Sequence, residues 1–180
     1  MARHTEVVLL LIVATAATGL ATVVPLSDAY FDKIVQEAKD RRVNDRCSQC
    51  CQFGWVQYNR RCFIYKATQV IWASAEEHCV HLGGHLISIH NENDYQLAKS
   101  LIRTHDPKQN PTWIGLSSCQ KKGKWFWSDG TKLTFTKWNP REPNQLIGEC
   151  CAHMNYGKKK DWNDIRCKKK YPFVCAKKLK

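Results

Sequence analysis

The sequence predicts an α+β fold in which two helices flank loop-rich antiparallel sheets and disulfide bonds cross-link the chain. Two segments repeat apolar residues with a helical period, and five short segments with strand-like composition follow them. The chain of 180 residues also contains ten cysteines, which is more than a protein of a reducing compartment usually keeps as thiols. We therefore expect a domain that folds in an oxidising compartment, which excludes most cytosolic and nuclear enzymes.

Residues 1–21 are typical of a signal peptide. A basic start precedes an apolar run over residues 7–13, and small residues lead up to Ala21. The apolar run is shorter than the roughly 20 residues that a membrane-spanning helix needs, and no other segment is apolar enough. We place the cleavage after Ala21 and predict a secreted, extracellular protein with no membrane span.

Residues 22–46 predict a short amphipathic helix that begins behind Ser27 or Asp28. Its apolar residues recur at roughly helical spacing: Tyr30, Phe31, Ile34, Val35 and Ala38. The stripe is too short to be a stable coiled coil alone. The segment is consistent with a self-associating neck, with a pro-segment removed near Arg41, or with a surface extension, and the sequence leaves all three open.

Residues 47–180 have the pattern of one domain. Residues 53–66 alternate like a hairpin, and helical patterns cover residues 68–82 and 92–104. The strand candidates, separated by Gly, Pro, Asn and Asp, cover residues 112–116, 124–129, 134–138, 150–156 and 172–179.

The charge of the chain is concentrated in its last third. The whole chain carries 28 Lys+Arg against 16 Asp+Glu, and residues 121–180 hold 16 of these bases with only five acids. Because an exported protein rarely meets nucleic acid, we expect no nucleic-acid partner and consider anionic polymers such as lipopolysaccharide or heparin instead. The lysines are either a second, metal-independent contact or a solvated face: Lys121, Lys122, Lys124, Lys158, Lys159, Lys160, Lys168, Lys169, Lys170, Lys177 and Lys178.

Several short motifs occur in one order from Cys51 to the C-terminus. They are Gly83-Gly84-His85-Leu86, Trp113-Ile114-Gly115-Leu116, Trp138-Asn139-Pro140, Glu142-Pro143-Asn144 and Trp162-Asn163-Asp164. Together with the cysteine spacing, they resemble the C-type lectin-like domain, and in particular fish lectins of the ladderlectin kind and type II antifreeze proteins.

The resemblance implies four disulfide bonds, Cys51–Cys62, Cys79–Cys175, Cys151–Cys167 and Cys119–Cys150. Because Cys150 adjoins Cys151, the sequence alone leaves a swapped partner open. Cys47 and Cys50 remain, either to bridge each other or to link chains into a disulfide-bonded homo-oligomer. A redox function for this pair is not expected, because the strand and helix that activate such a motif are missing around it.

The resemblance further implies one calcium ion, held by oxygen atoms of Glu142, Asn144, Glu149, Asn163 and Asp164. Calcium takes 6–8 oxygen ligands, and two sugar hydroxyls would complete its shell while they hydrogen-bond to Glu142, Asn144, Glu149 and Asn163. In the family, Pro143 follows a cis peptide bond. The loop before Glu149 is one residue shorter than is common, and Cys150 replaces an aspartate of an auxiliary calcium site, so we expect a single ion.

The order Glu142-Pro143-Asn144 implies mannose-type sugars, whereas Gln-Pro-Asp would imply galactose, because exchanging the acid and the amide reverses hydrogen-bond donors and acceptors. We therefore predict a secreted calcium-dependent lectin for mannose-type glycans that recognises microbes in innate defence. The alternatives are an ice-binding protein, a calcium-independent binder of anionic polymers, and a lectin-like scaffold that no longer binds sugar.

We predict no catalytic site. The histidines straddle a helix end, a Gly-Gly turn and the next strand, so a zinc site is not expected: His78, His81, His85 and His90. The tryptophans are expected in the core rather than on a stacking platform: Trp113, Trp125, Trp127 and Trp138. No Ser-His-Asp spacing or further carboxylate pair is left for catalysis.

Overall fold

The computed structural model describes residues 26–40 and 50–179. The elements of this part of the chain are α1 (Asp28–Asp40), β1 (Val56–Tyr58), β2 (Arg61–Val70), α2 (Trp72–His81), β3 (His85–Leu86), α3 (Glu92–His105), β4 (Thr112–Ser117), β5 (Phe126–Trp127), β6 (Glu149–Tyr156), β7 (Asp161–Arg166) and β8 (Tyr171–Lys178). The predicted signal peptide and Cys47 lie outside the described residues. Within the described ranges, no helix is long and apolar enough to cross a membrane.

The strands form one mixed sheet in the order β1-β2-β8-β4-β6-β7, with β3 added to β8 and β5 to β4. All ladders are antiparallel except the one between β4 and β8, where Trp113 pairs with Phe173 in parallel. A parallel pair needs a long connection, and the chain between these strands supplies it. The predicted α+β class is confirmed, and the sheet is mixed rather than purely antiparallel.

The predicted first helix begins too early. Residues 68–70 belong to β2, where Val70 pairs with Tyr171 of β8, and α2 begins only at Trp72. Pairing with a central strand outweighs the weak helical pattern there. The second helix is α3, where the Asn91 side chain accepts a 2.9 Å hydrogen bond from the Asp94 backbone N–H as an N-cap.

The strand predicted over residues 134–138 is wrong, and the one over 124–129 shrinks to β5. Residues 128–148 form a long loop whose one strand-like pairing joins Trp138 to Trp162. Leu133 and Phe135 pack against the main core. The alternation in this segment therefore reflects side-chain burial without a hydrogen-bonded ladder.

The helix predicted behind Ser27 is α1, and it packs on the domain. Phe31 and Val35 are fully buried in the main core. Asp32 accepts hydrogen bonds of 2.5 Å from both Ser100 Oγ and Arg103 Nη2 of α3. The apolar stripe is thus buried in the core of the same chain beside α3, whereas the role of residues 22–46 stays a prediction.

Four disulfide bonds join described residues, in the pairs that the family resemblance implies: Cys51–Cys62, Cys79–Cys175, Cys119–Cys150 and Cys151–Cys167. Cys50 is also disulfide-bonded. A bond between two chains through Cys47 or Cys50 remains a prediction.

Candidate functional site

The long loop before β6 is anchored alongside β7. The Trp162 N–H donates to the carbonyl of Lys137 at 2.8 Å, and the Asn139 N–H donates to the carbonyl of Trp162 at 2.9 Å. The rings of Trp138 and Trp162 meet edge to face with centroids 5.7 Å apart. This anchor aligns the following residues with the part of β7 that carries Asp164.

Asp164 is the centre of the site. Its side chain is buried, with 1% of the residue exposed. Its two carboxylate oxygens accept hydrogen bonds from the backbone N–H groups of Asn144 (3.0 Å) and Gln145 (2.9 Å). The Glu142–Pro143 peptide bond, which comes just before these residues, is cis. The loop is thus folded over the strand by contacts between groups that the sequence singled out.

Two more carboxylates lie near Asp164. Burial and a contact with the Asp164 carboxylate raise the pKa of Glu142, and hydrogen bonds from the N–H groups of Asn144 partly offset this rise. Burial and the charge of Asp164 also raise the pKa of Glu149, and Arg166 partly offsets this. Burial is the main cause of both raised pKa values, and the nearby Asp164 carboxylate adds to each. A bound cation would relieve the repulsion among these carboxylates.

The Asn144 side chain is held within the loop. Its Nδ2 donates to Glu142 Oε1 at 3.2 Å, and its Oδ1 accepts from the Leu146 N–H at 3.1 Å. Leu146 and Ile147 follow at the tip of the loop and are 61% and 91% exposed. The tip therefore offers an apolar surface beside the polar site.

Asn163 faces a different neighbour. It pairs with His153 of β6, and its Nδ2 lies 3.1 Å from His153 Nε2. His153 Nδ1 lies 3.0 Å from the Met154 carbonyl oxygen. That carbonyl can only accept, so Nδ1 carries the proton and Nε2 accepts from Asn163. Burial lowers the pKa of His153 to about 4, which keeps the ring neutral at physiological pH.

The structure therefore brings the five predicted ligands together unequally. Glu142, Asn144 and Asp164 are in direct contact, Glu149 is near enough for its charge to matter, and the Asn163 side chain is paired with His153. Sequence reasoning missed His153, because it lies opposite Asn163 only through the β6–β7 pairing, and no strand was predicted over β7.

The donor set suits calcium, because all five side chains offer oxygen atoms and three are carboxylates. In the part of the chain that the structure describes, the carboxylate oxygens of Glu142, Glu149 and Asp164 are not gathered closely enough to form a ready-made metal site. Among the described residues, the group of Cys, His, Asp or Glu ligand atoms lying within 4.8 Å of one another comprises Cys119, Cys150, Cys151 and Cys167. These sulfur atoms are in disulfide bonds, so they are not metal ligands.

The histidines considered for zinc are spread over separate contacts. His85 Nδ1 lies 2.6 Å from Glu76 Oε1, and His90 Nε2 lies 3.1 Å from Ser88 Oγ. His78 packs edge to face on Phe173. Each of these histidines thus has a structural partner.

Residues 68–177 match the family model of the lectin C-type domain, a span that includes the loop, β6 and β7. The chain belongs to the C-type lectin domain family. The chain is 41% identical to the lactose-binding lectin l-2 of Anguilla japonica over 135 residues. The aligned part covers 72% of the chain and 80% of the relative.

Two other relatives belong to a different functional group. The chain is 32% identical to a type-2 ice-structuring protein of Hemitripterus americanus over 164 residues, 90% of the chain and 97% of the relative. A solved structure of herring type II antifreeze protein matches with a TM-score of 0.69 and 37% identity, covering 72% of the chain and all of that structure. The resemblance to fish lectins and type II antifreeze proteins is confirmed.

Proposed function

We propose that this C-type lectin domain protein is secreted and binds mannose-type glycans on microbial surfaces through one calcium ion. The observation that carries the proposal is the contact of Glu142, Asn144 and Asp164, in which two carboxylates meet and backbone N–H groups orient them. Such a pair of like charges is costly without a cation. Membership of a family of lectins supports the same assignment.

The residues that would hold the ion are Glu142, Asn144, Glu149, Asn163 and Asp164. Calcium would supply a charged centre that binds vicinal hydroxyl groups of a sugar directly. The chain's own contribution is orientation: the N–H groups of Asn144 and Gln145 fix the Asp164 carboxylate. The hydrogen bond to His153 engages Nδ2 of Asn163, whereas the atom that would bind the ion is Oδ1 of the same amide.

The preference for mannose rests on Glu142 and Asn144, which present an acceptor and an amide in that order. The name of the Anguilla japonica relative points to lactose, a sugar that ends in galactose. The two sugars therefore form the decisive comparison for this chain.

The test is retention on mannan, galactose and lactose resins with calcium or with excess chelator. We expect retention on mannan that disappears in chelator. The double variant Glu142→Gln/Asn144→Asp should move preference toward galactose, and Glu77→Gln/Asn59→Asp, which makes the same chemical changes at exposed positions elsewhere, should not. Retention on mannan that persists in chelator contradicts the calcium mechanism, and an unchanged preference in the site variant contradicts the role of donor order.

Ice binding is a second candidate, because the ice-structuring relative matches 90% of the chain. The basic C-terminal third opposes it, since ice binding favours a flat, weakly charged face. A thermal hysteresis measurement with and without calcium separates the two functions. Binding of heparin in chelator would instead support the calcium-independent alternative.

A further inference from the structure

Two lysine-rich turns meet at a pair of neighbouring disulfides. Cys119 Sγ lies 3.4 Å from Cys167 Sγ, and Cys150 Sγ lies 3.5 Å from the same atom. One lysine turn begins two residues after Cys119, and the other begins directly after Cys167. Because consecutive Cα atoms are about 3.8 Å apart, the two turns start close together. We call their exposed bases, together with the exposed Arg166 that precedes Cys167, the basic patch: Lys121, Lys122, Lys124, Arg166, Lys168, Lys169 and Lys170.

The bases of this patch are not neutralised by ion pairs. Among residues 26–40 and 50–179, no ion pair includes a patch residue. Other lysines are engaged: Lys137 pairs with Glu92 at 2.9 Å, and Lys160 Nζ lies 3.2 Å from the Gln109 carbonyl oxygen. The acid Glu149 is paired with Arg166 in the β6–β7 ladder, where the charge of Arg166 partly offsets the rise in the pKa of Glu149. The lysines of the patch thus remain available to an external anion.

The basic patch adjoins the proposed sugar site. A Cβ atom placed on Gly123, in the first lysine turn, would lie 3.9 Å from Gln145 Oε1. A Cβ atom on Gly148 would lie 3.8 Å from the Arg166 side chain. Both Gln145 and Gly148 belong to the loop between Asn144 and Glu149. A glycan on this loop would therefore extend within reach of the patch.

A third lysine pair provides the contrast. Lys158 and Lys159 are exposed in the turn between β6 and β7. The ladder runs from Glu149–Arg166 at one end to Tyr156–Asp161 at the other, so this turn lies at the end away from the patch. Lys158 and Lys159 therefore match any two lysines of the patch in charge and exposure and differ from them in position.

We propose that the basic patch binds an anionic substituent, a sulfate or phosphate ester, of the same glycan whose hydroxyls occupy the 142–149 loop. This inference rests on the proposed function and narrows its ligand to anionic glycans. Several lysines around one ester provide attraction that neutral mannose lacks. Each exposed ion pair between a lysine and the ester contributes up to about fivefold in affinity at low salt.

The experiment compares neutral, sulfated and phosphorylated mannan on a biosensor, with calcium, in about 0.1 M and about 1 M salt. These concentrations shorten the Debye length from about 10 Å to about 3 Å. We expect about tenfold tighter binding of the esterified mannans at low salt and little preference at high salt. The ranking of the two esters identifies the anion, and free inorganic sulfate or phosphate should compete only weakly.

Charge-matched variants locate the effect. Lys121→Ser/Lys122→Ser and Lys168→Ser/Lys169→Ser should each lower the preference for the ester about threefold or more and leave neutral mannan unaffected. Lys158→Ser/Lys159→Ser removes the same charge and should keep the preference. Equal losses in all three variants, or none in the patch variants, would overturn the inference.

The inference and the proposed function fail separately. Calcium-dependent binding of neutral mannan without any gain on esterified mannan refutes the basic patch alone. Absence of neutral-mannan binding in calcium refutes the proposed function. Undiminished binding of sulfated mannan in chelator overturns the idea that both contacts engage one glycan.

Discussion

Replacing Phe31 by alanine tests whether α1 belongs to the folded domain. Phe31 is fully buried in the main core and meets the Tyr58 ring edge to face, with centroids 5.5 Å apart. Its removal leaves a cavity between α1 and the sheet. Truncation of a buried phenylalanine typically costs about 3–5 kcal/mol of unfolding free energy.

The structure also sets an upper limit to this loss. Besides Phe31, the helix buries Val35 and Ala38 and holds Arg103 through Asp32. If docking of α1 is worth less than the full cost of the cavity, the helix detaches and the rest of the domain keeps its own stability. We therefore expect a loss of about 3 kcal/mol, at the lower end of the range.

The assay is guanidinium unfolding with the disulfides intact, combined with hydrogen exchange of the α1 amides. Tyr30→Ala is the matched control, since Tyr30 lies on the same helix and is 39% exposed; its loss should stay below about 1 kcal/mol. Detachment would appear as fast exchange confined to α1. Equal stability and equal exchange in Phe31→Ala and Tyr30→Ala would refute the packing argument and favour a removable segment.

Three further predictions concern pH and the disulfides. Because Glu142 and Glu149 have raised pKa values, their contribution to stability is present at low pH and is lost as the pH rises through those values. A calcium ion binds the ionised carboxylates, so the rise in melting temperature that calcium induces should grow from about pH 4 to about pH 7. A calcium-induced rise that does not depend on pH would contradict this. Burial lowers the pKa of His153 from 6.5 to about 4, so in chelator the protein should lose about 3 kcal/mol of unfolding free energy as the pH falls from 6.5 to about 4. In His153→Gln, the denaturation midpoint should depend less on pH over this range. The variant Cys119→Ser/Cys150→Ser should lower the unfolding free energy by about 2–4 kcal/mol, and a loss below about 1 kcal/mol in guanidinium unfolding would show that this bond adds little.

The loop over residues 128–148 shows where sequence patterns mislead. Alternating apolar residues in it predicted a strand over residues 134–138, but the backbone makes one strand-like pairing there, between Trp138 and Trp162. Alternation of apolar and polar residues with a period of two indicates which side chains are buried. It does not report whether a neighbouring strand is present, and that depends on chain segments far away in sequence.

The site shows the same division. The family resemblance of the motifs pointed to Glu142, Asn144 and Asp164 as candidate ligands, and their oxygen-bearing side chains suit calcium. The sequence also selected Asn163 but gave no sign of its partner, since His153 is ten residues away and becomes adjacent only through the β6–β7 register.

The sequence by itself determined the fold class, the family, the disulfide-rich character and the identity of the candidate ligands, because composition and motif order are properties of the chain alone. Tertiary structure alone decided that α1 holds α3 through Asp32 and buries Phe31 in the main core. It also decided that two lysine turns, 121–124 and 168–170, start close together beside the 142–149 loop. Both outcomes depend on contacts between residues distant in the chain. Burial, proximity and charge repulsion arise only once folding has brought such residues together.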